Sequence, residues 1–510
     1  MAELNVNIGH WVRKNARIYP QKIATKSGNR SFTYAQLAER TNRLANGLRA
    51  LGLRKGDRVA LLMLNGTEYV EAVFACSAAG FIAVPLNWRL GQEEISFILS
   101  DCAPKVLLHN ACFEKRGAEA AAGCSSIVRR LSIADDGGPS PYEEFLATGD
   151  TSDAVDPGTG GDDPHLIMYT AGTTGNPKGV VLTHANCFWQ SVNGWALGVS
   201  PETVALVLLP MFHVGGLNGS MTPMIHVGAT VLLPPKFDVG ETLATIQREK
   251  VSGMVAVPAV FQMMYDHPSF ATTDMSSVQA FISGGAPLSY ELIRKYHERG
   301  LEFRQGYGLT ETSPGVTGMG PGECLRKSGT AGRMCLYVEV KIVDDDGRDL
   351  PTGKAGEVIV RGPNVMAGYW NRPEETAKAL KNGWFHSGDI GYLDEDGYLT
   401  LVDRKKDMII SGGENVYPAE IEKVFEQHPG VAEVAVVGLP DAKWGEVPVA
   451  FVVVRPGYQL DGDELLKFCA ERIAKYKTPK EVILREALPR NAAGKVLKPT
   501  LRREVSEPKS

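Results

Sequence analysis

The sequence is short of the features that mark a disulfide scaffold, a membrane span or a polyelectrolyte. Its eight cysteines include no C-x-x-C pair, so their spacing offers neither a zinc site nor a disulfide framework, and reduced thiols are the expectation. The longest apolar stretches, such as Val204 to Met211, fall far short of the roughly 20 residues that cross a bilayer. Met1-Ala2-Glu3-Leu4-Asn5 lacks the basic n-region and apolar core of a signal peptide, so the expected location is the cytoplasm. Charge of one sign is also missing. Basic residues number 54 and acidic ones 59, for a net −5, which gives no whole-chain case for nucleic acid or an anionic membrane surface. Charged residues make up 22% of the 510, close to the globular average of about 25%. A chain of this length suggests three to four structural units at roughly 150 residues each.

What is present is an alternation of helical and strand patterns. Thr33 followed by Gln36 has the form of a capping box, and Leu37, Leu44, Leu48 and Leu51 recur at helical spacing up to Gly52. A buried strand is expected from Val59 to Met63 and a helix from Glu68 to Ala79. The alternation continues, which implies parallel sheets covered by helices on both faces. Residues 133–164 are dense in Gly, Pro, Asp and Ser and read as a surface loop or linker. From 338 to 362 short β-runs, Val338 to Val343 and Glu357 to Arg361, alternate with Asp-Gly and Pro-Thr-Gly turns, which suggests an antiparallel subdomain. Beyond Asp403 a compact α/β unit is expected. Its elements are a helix from Pro418 to Gln427, strands Val434 to Gly438 and Val447 to Val454, and a helix from Asp463 to Lys475. A boundary falls near 403–407.

The most informative stretch runs from Tyr169 to Val180, after the apolar Leu166-Ile167-Met168. Gly172, Gly175 and Gly179 let backbone N–H groups converge on an anion. Thr170, Thr173 and Thr174 add hydroxyl donors, and Lys178 adds charge. That chemistry suits a polyphosphate. It is not a Walker loop, because Lys178 is preceded by Pro177 and followed by Gly179.

This stretch resembles the signature loop of the adenylate-forming superfamily, which comprises acyl-CoA synthetases, peptide-synthetase adenylation domains and beetle luciferases. Four further segments resemble its motifs in the expected order: Pro210–Gly216, Gln305–Thr312, His386–Asp403 and Pro489–Lys498. The resemblance covers essentially the whole chain. It implies an α/β enzyme with a large N-terminal domain (1–403) made of two helix-covered sheet subdomains and a small β-barrel-like subdomain. A hinge (404–407) and a small mobile C-terminal α/β domain (408–510) would follow. The implied reaction has two halves: a carboxylate attacks the α-phosphorus of ATP and expels pyrophosphate, then the acyl-adenylate passes its acyl group to the thiol of CoA. ATP, Mg²⁺ and CoA are the implied cofactors. Small molecules are the expected partners, and the sequence does not decide between a monomer and a homodimer.

The resemblance also assigns roles. Tyr307 would stack on adenine, with Gln305, Gly306, Gly308, Gly284, Gly285 and Ala286 around the adenine and acyl pockets. Thr310 would bond the α-phosphate, and Glu311 with Thr174 would hold Mg²⁺, an ion that prefers one or two carboxylates plus phosphate oxygens. Asp389 would accept the ribose hydroxyls and Arg404 would contact the ribose–phosphate region, a task suited to a fixed, permanently charged fork. Lys495 is the implied adenylation lysine, since a compact ammonium on a flexible stem can bridge carboxylate and α-phosphate. Lys406 matches the hinge position, and Gly412 and Gly413 would flank pantetheine. His213 would sit where acyl pocket and CoA tunnel meet, positioning rather than transferring protons.

For the acid itself the pattern departs from two relatives' habits. Some long-chain members carry an aromatic gate at the Leu217 position, and coumarate ligases often have tyrosine at the Gly215 position. With Val214, Gly215, Gly216 and Leu217 after His213, small residues suggest room for an extended apolar acid. The Gly362–Trp370 and Ile410–Pro418 segments resemble bacterial fatty-acyl and feruloyl-type ligases. A medium- to long-chain fatty acid is the reading, with an aromatic acid as the alternative and a carrier-protein adenylation enzyme behind both.

Overall fold

The computed structural model describes residues 6–170, 177–195, 198–405, 407–411, 414–441, 444–490 and 496–506. By its internal contacts the chain forms two units. The first holds 1–340, 360–386 and 397–399, and the second holds 341–359, 387–396 and 400–510.

In the first unit the capping box forms as the sequence predicts. Thr33 Oγ1 accepts from Gln36 N at 3.3 Å, and the Gln36 side chain accepts from Thr33 N at 2.9 Å. The helix that it starts spans Tyr34–Ala50. The expected strand and the helix after it appear as Arg58–Leu62 and Thr67–Ala79. Two sheets carry the unit. In one, Arg129–Ile133, Val106–Asn110, Arg58–Leu62, Ile82–Pro85 and Pro164–Thr170 are parallel neighbours, and Lys178–Thr183 returns antiparallel. In the other, Ile23–Ser27, Thr230–Leu232, Val204–Val207, Gly253–Ala256, Ala280–Ser283 and Phe303–Gly308 run parallel. Helices cover them by the usual apolar stripe. Leu243, Ile246, Phe261, Met264, Leu292 and Tyr296 pack on the second sheet through Leu206, Met254, Phe281 and Phe303. Ile95, Ile98 and Leu99 do the same on the first, against Leu62, Val84 and Leu107.

In this unit the reading of residues 133–164 needs correction. Residues 133–164 are not all loop, because Pro141–Thr148 is a helix with Ser140 as N-cap and proline at its first turn, a start signal that the polar composition hid. Its Tyr142 is buried and donates to Glu71 Oε2 at 2.7 Å, while Glu143 pairs with Arg40 at 2.7 Å.

Strands Glu339–Val343, Gly356–Arg361, Leu380–Lys381, Trp384–Leu393 and Leu399–Arg404 belong to a separate five-stranded sheet. In the second unit, Val431–Asp441 and Gly445–Val454 form a long antiparallel pair, extended by Ile409–Ser411 on one side and by the parallel Glu481–Arg485. Ile421, Phe425 and Leu465 cover one face, Leu501 the other. The helix expected to reach Lys475 is Gly462–Ala470, and a separate 3₁₀ turn covers Lys475–Lys477. The N–H of Glu471 turns back to Lys467 O and Cys469 O, closing the helix early. All eight cysteines are free. Among the described residues no helix is long and apolar enough to cross a membrane.

Candidate active site

Each unit brings together part of the predicted set. In the first, the strands that flank the glycine–threonine stretch pair up to Thr170 opposite Lys178. Gly172, Thr173, Thr174 and Gly175 themselves lie outside the described residues. Lys178 starts the return strand, and its Nζ stands 5.5 Å from the ring centroid of Tyr369. Tyr369 is held by pairing with Val180 and by Thr376 Oγ1, which accepts its N–H at 2.9 Å. Its hydroxyl donates to Glu311 Oε1 at 3.0 Å. Burial, with the Glu311 charge beside it, raises the phenol pKa far above its ordinary value, so the hydroxyl remains a donor at neutral pH.

Glu311 lies in a 3₁₀ turn, Thr310–Thr312, that follows the strand Phe303–Gly308. Three bonds fix that turn. Leu309 N donates to Thr312 Oγ1 at 2.9 Å, Met366 N donates to Glu311 O at 2.8 Å, and Asn364 Nδ2 donates to Thr312 O at 2.7 Å. Tyr307 lies opposite Thr317 in the antiparallel pair with Gly315–Gly318. Gly308 is dictated by its neighbour, since a Cβ there would lie 1.4 Å from Pro314 O. Gln305 Oε1 accepts from Leu288 N at 3.3 Å, tying this strand to the segment that holds Gly284, Gly285 and Ala286. Gly285 and Ala286 are exposed. A single carboxylate steadied by a neighbouring hydroxyl suits magnesium, which takes one or two carboxylates and completes its shell from phosphate and water.

His213 follows a tight turn in which its N–H donates to Pro210 O at 3.0 Å. Its ring lies 4.5 Å from that of Phe212. Burial, helped by the Arg89 guanidinium, pushes the imidazole down to about 4. It is therefore neutral at pH 7, as a positioning group would be. After Val214–Gly216 the helix widens into a π-turn at Leu217–Met221, a feature that is frequent at functional sites. Leu217 is fully buried. Gly216 packs so closely that a Cβ would lie 2.4 Å from Pro210 O, whereas one on Gly215 would meet only Leu209 Cδ1 at 3.4 Å.

In the second unit, Asp389 is 5% exposed and pairs through Oδ1 with Arg404 Nε at 2.6 Å. Its N–H donates to Ser387 Oγ at 3.0 Å. Asp403 accepts from Arg404 N at 2.7 Å and from Ala419 N at 2.9 Å, joining this segment to the helix Pro418–Phe425. Lys405 pairs with Asp345 and Glu357 at 2.8 and 3.2 Å, and Asp407 with Arg502 at 3.0 Å. Lys406 lies between them, outside the described residues. So do Gly412 and Gly413, flanked by the pair Ser411 and Glu414, and Lys495, flanked by the bridge of Arg490 to Val496.

Sequence reasoning did not single out Tyr369, since the segment that contains it, Gly362–Trp370, was read only for its likeness to fatty-acyl and feruloyl-type ligases. Its neighbours Lys178 and Glu311 are remote in sequence, and no local pattern could pair them.

Comparison with known proteins finds relatives along nearly the whole chain. The model of the AMP-binding enzymes matches residues 12–370, and that of their C-terminal domain matches 420–495. A feruloyl-CoA synthase of an Amycolatopsis species is 43% identical over 500 residues, spanning 98% of this chain and 99% of that one. A long-chain-fatty-acid–CoA ligase of Mycobacterium tuberculosis is 42% identical over 509 residues, spanning 98% and 99%. Among solved structures, the o-succinylbenzoate coenzyme A synthetase of Bacillus subtilis, in complex with ATP and magnesium ion, has a TM-score of 0.86 at 34% identity over 98% of this chain and 99% of that one. The chain belongs to the AMP-binding enzymes, the adenylate-forming superfamily that includes the acyl-CoA synthetases.

Proposed function

We propose that this acid–CoA ligase activates a monocarboxylic acid with an extended apolar body, medium- to long-chain fatty acids foremost. The observation that carries the reading of the nucleotide site is the row Lys178–Tyr369–Glu311, which ties the phosphate-loop strand to the Gln305–Thr312 segment. In the first half-reaction the acid's carboxylate oxygen bonds to the α-phosphorus and the bond to pyrophosphate breaks. Two anions approach one another, so donors and cations must surround the reacting phosphorus. Lys178, Thr170, Thr173, Thr174 and the loop glycines hold the polyphosphate, and Thr310 bonds the α-phosphate. Glu311 with Thr174 would hold Mg²⁺, which would supply positive charge at the leaving pyrophosphate. Tyr307 faces adenine, Asp389 the ribose and Arg404 the ribose–phosphate region, while Lys495 bridges carboxylate and α-phosphate. His213, uncharged, orients the acyl group. In the second half-reaction the CoA thiol attacks the acyl carbonyl, releasing AMP, with Gly412 and Gly413 beside the pantetheine. The functional division is 1–403, a pivot at 404–407 that includes Lys406, and 408–510.

Pockets for apolar acids discriminate weakly, by about 1–3 kcal/mol per methylene, so tolerance of chain length is part of the reading. An aromatic acid is the second reading, supported by the likeness to a feruloyl-CoA synthase. The test is AMP release against acids from acetate to palmitate, beside ferulate and benzoate, with and without CoA. CoA-dependent turnover that rises with chain length is the expected result. Preference for ferulate would transfer the assignment to the second reading, and activity on one short acid alone would overturn both.

A further inference from the structure

Lys178 and Glu311 carry opposite charges and both touch Tyr369, yet no ion pair joins them. The ammonium meets the face of the ring, where the π-quadrupole is negative, while the carboxylate meets the hydroxyl at 3.0 Å. A lysine on a flexible four-carbon stem ordinarily finds a nearby carboxylate. Were the two to meet directly, each would neutralise the other. The lysine would be turned from a polyphosphate, and the carboxylate would lose the charge that attracts a divalent cation.

Tyr369 is itself fixed from three sides. Its backbone pairs with Val180, two residues from Lys178, its N–H is taken by Thr376 Oγ1, and the chain just before it is anchored by Met366 N on Glu311 O. The ring is thus registered to the strand that carries the lysine and to the turn that carries the carboxylate.

We propose that Tyr369 is a positioning residue that keeps Lys178 and Glu311 apart, so that the lysine serves the ATP phosphates while the carboxylate, oriented by the phenol hydroxyl, serves the metal. The proposal rests on the nucleotide-site reading above and adds to it a division of labour between two charges. It makes the ring and the hydroxyl separable. Loss of the hydroxyl alone acts on the metal, and loss of the ring acts on the lysine as well.

The test is equilibrium binding of ATP by calorimetry on the full chain, with and without Mg²⁺, so that the readout does not depend on turnover. Tyr369→Phe keeps the ring and should raise the half-saturating Mg²⁺ for ATP binding about tenfold, the order expected for one hydrogen bond to a charged group. Metal-free ATP affinity should change less than about twofold. Tyr369→Leu removes the ring, and metal-free ATP affinity should then fall about tenfold as Lys178 turns to Glu311. Adding Glu311→Gln to Tyr369→Leu should restore most of that affinity. The same substitution beside the native tyrosine should do at least about fivefold less, a coupling that only neighbouring groups show. Equal effects of Glu311→Gln in both backgrounds, or a Tyr369→Phe variant with native Mg²⁺ dependence, would overturn the proposal. If Tyr369→Leu fails to melt cooperatively, the Phe variant alone decides. A native chain that does not bind ATP at all would refute the proposed function instead.

Discussion

Acidification from pH 7 to pH 5 should strip the first unit of a large part of its stability through three imidazoles. His184, His213 and His226 are each pushed from 6.5 down to about 4. Burial is the main cause in all three. Asp163 partly offsets it at His184, where Lys55 and His10 add to it, while Arg89 adds to it at His213 and Lys14 at His226. His165, whose ring lies 5.2 Å from that of His184, is lowered as well, by burial and by the His184 charge. Between the folded and unfolded values the unfolded chain binds protons that the folded chain refuses. Stability is therefore complete above about 6.5 and falls as the pH drops toward 4. At pH 5 each group contributes about 2 kcal/mol less than at pH 7, or about 5 kcal/mol for the three. That is comparable to the whole stability of many domains. Carboxylates held low by their partners, such as Glu143 and Asp163, release their contribution only below the ordinary carboxylate range and leave this window clear. The assay is the urea midpoint, followed by tryptophan fluorescence at fixed salt from pH 7.5 to 5. His226 stacks on Trp11 at 3.9 Å and meets Ser191 Oγ at 2.8 Å, so His226→Gln should cost stability at pH 7 yet make the pH slope shallower. A midpoint that stays constant or rises on acidification would refute the reasoning, as would an unchanged slope in the variant.

Two further outcomes concern the chemistry. Gly308→Ala places a Cβ against Pro314 O, where no side chain can yield. The Gln305–Thr312 segment must then shift, and ATP–pyrophosphate exchange should fall by at least about a hundredfold while far-UV circular dichroism stays native. Lys495→Ala should abolish adenylation yet spare thioester formation from supplied acyl-adenylate, and equal loss of both halves would defeat the two-step assignment.

Signals that act over one helical turn were legible in the sequence. The Thr33–Gln36 box forms bond for bond, and the strand expected at Val59 starts one residue earlier, at Arg58. The motifs placed Glu311 and Lys178 in one reaction by family likeness. That a tyrosine between them takes both is a contact across 58 and 191 residues, which no period or cap encodes. The helix Pro141–Thr148 was missed for a different reason. Only two of its residues, Tyr142 and Leu146, are buried, so its apolar stripe is too thin to stand out from a polar stretch. The Ser140-Pro141 start was the signal available.

The glycines after His213 show where reading volume from sequence goes astray. A missing side chain suggests space, yet Gly216 is small because Pro210 O and Leu209 O lie 2.4 and 2.6 Å from where a Cβ would be. Its space is already filled by backbone, as is usual where two segments approach closely. Gly215 differs, since its absent Cβ faces a flexible leucine tip. Leu217 is wholly buried within the π-turn, so its side chain offers no open volume either. Of the residues counted as leaving room for the acid, only Gly215 has space to give. On the reading proposed above, selectivity between alkyl and aryl acids would depend on Gly215 and on side chains outside this motif.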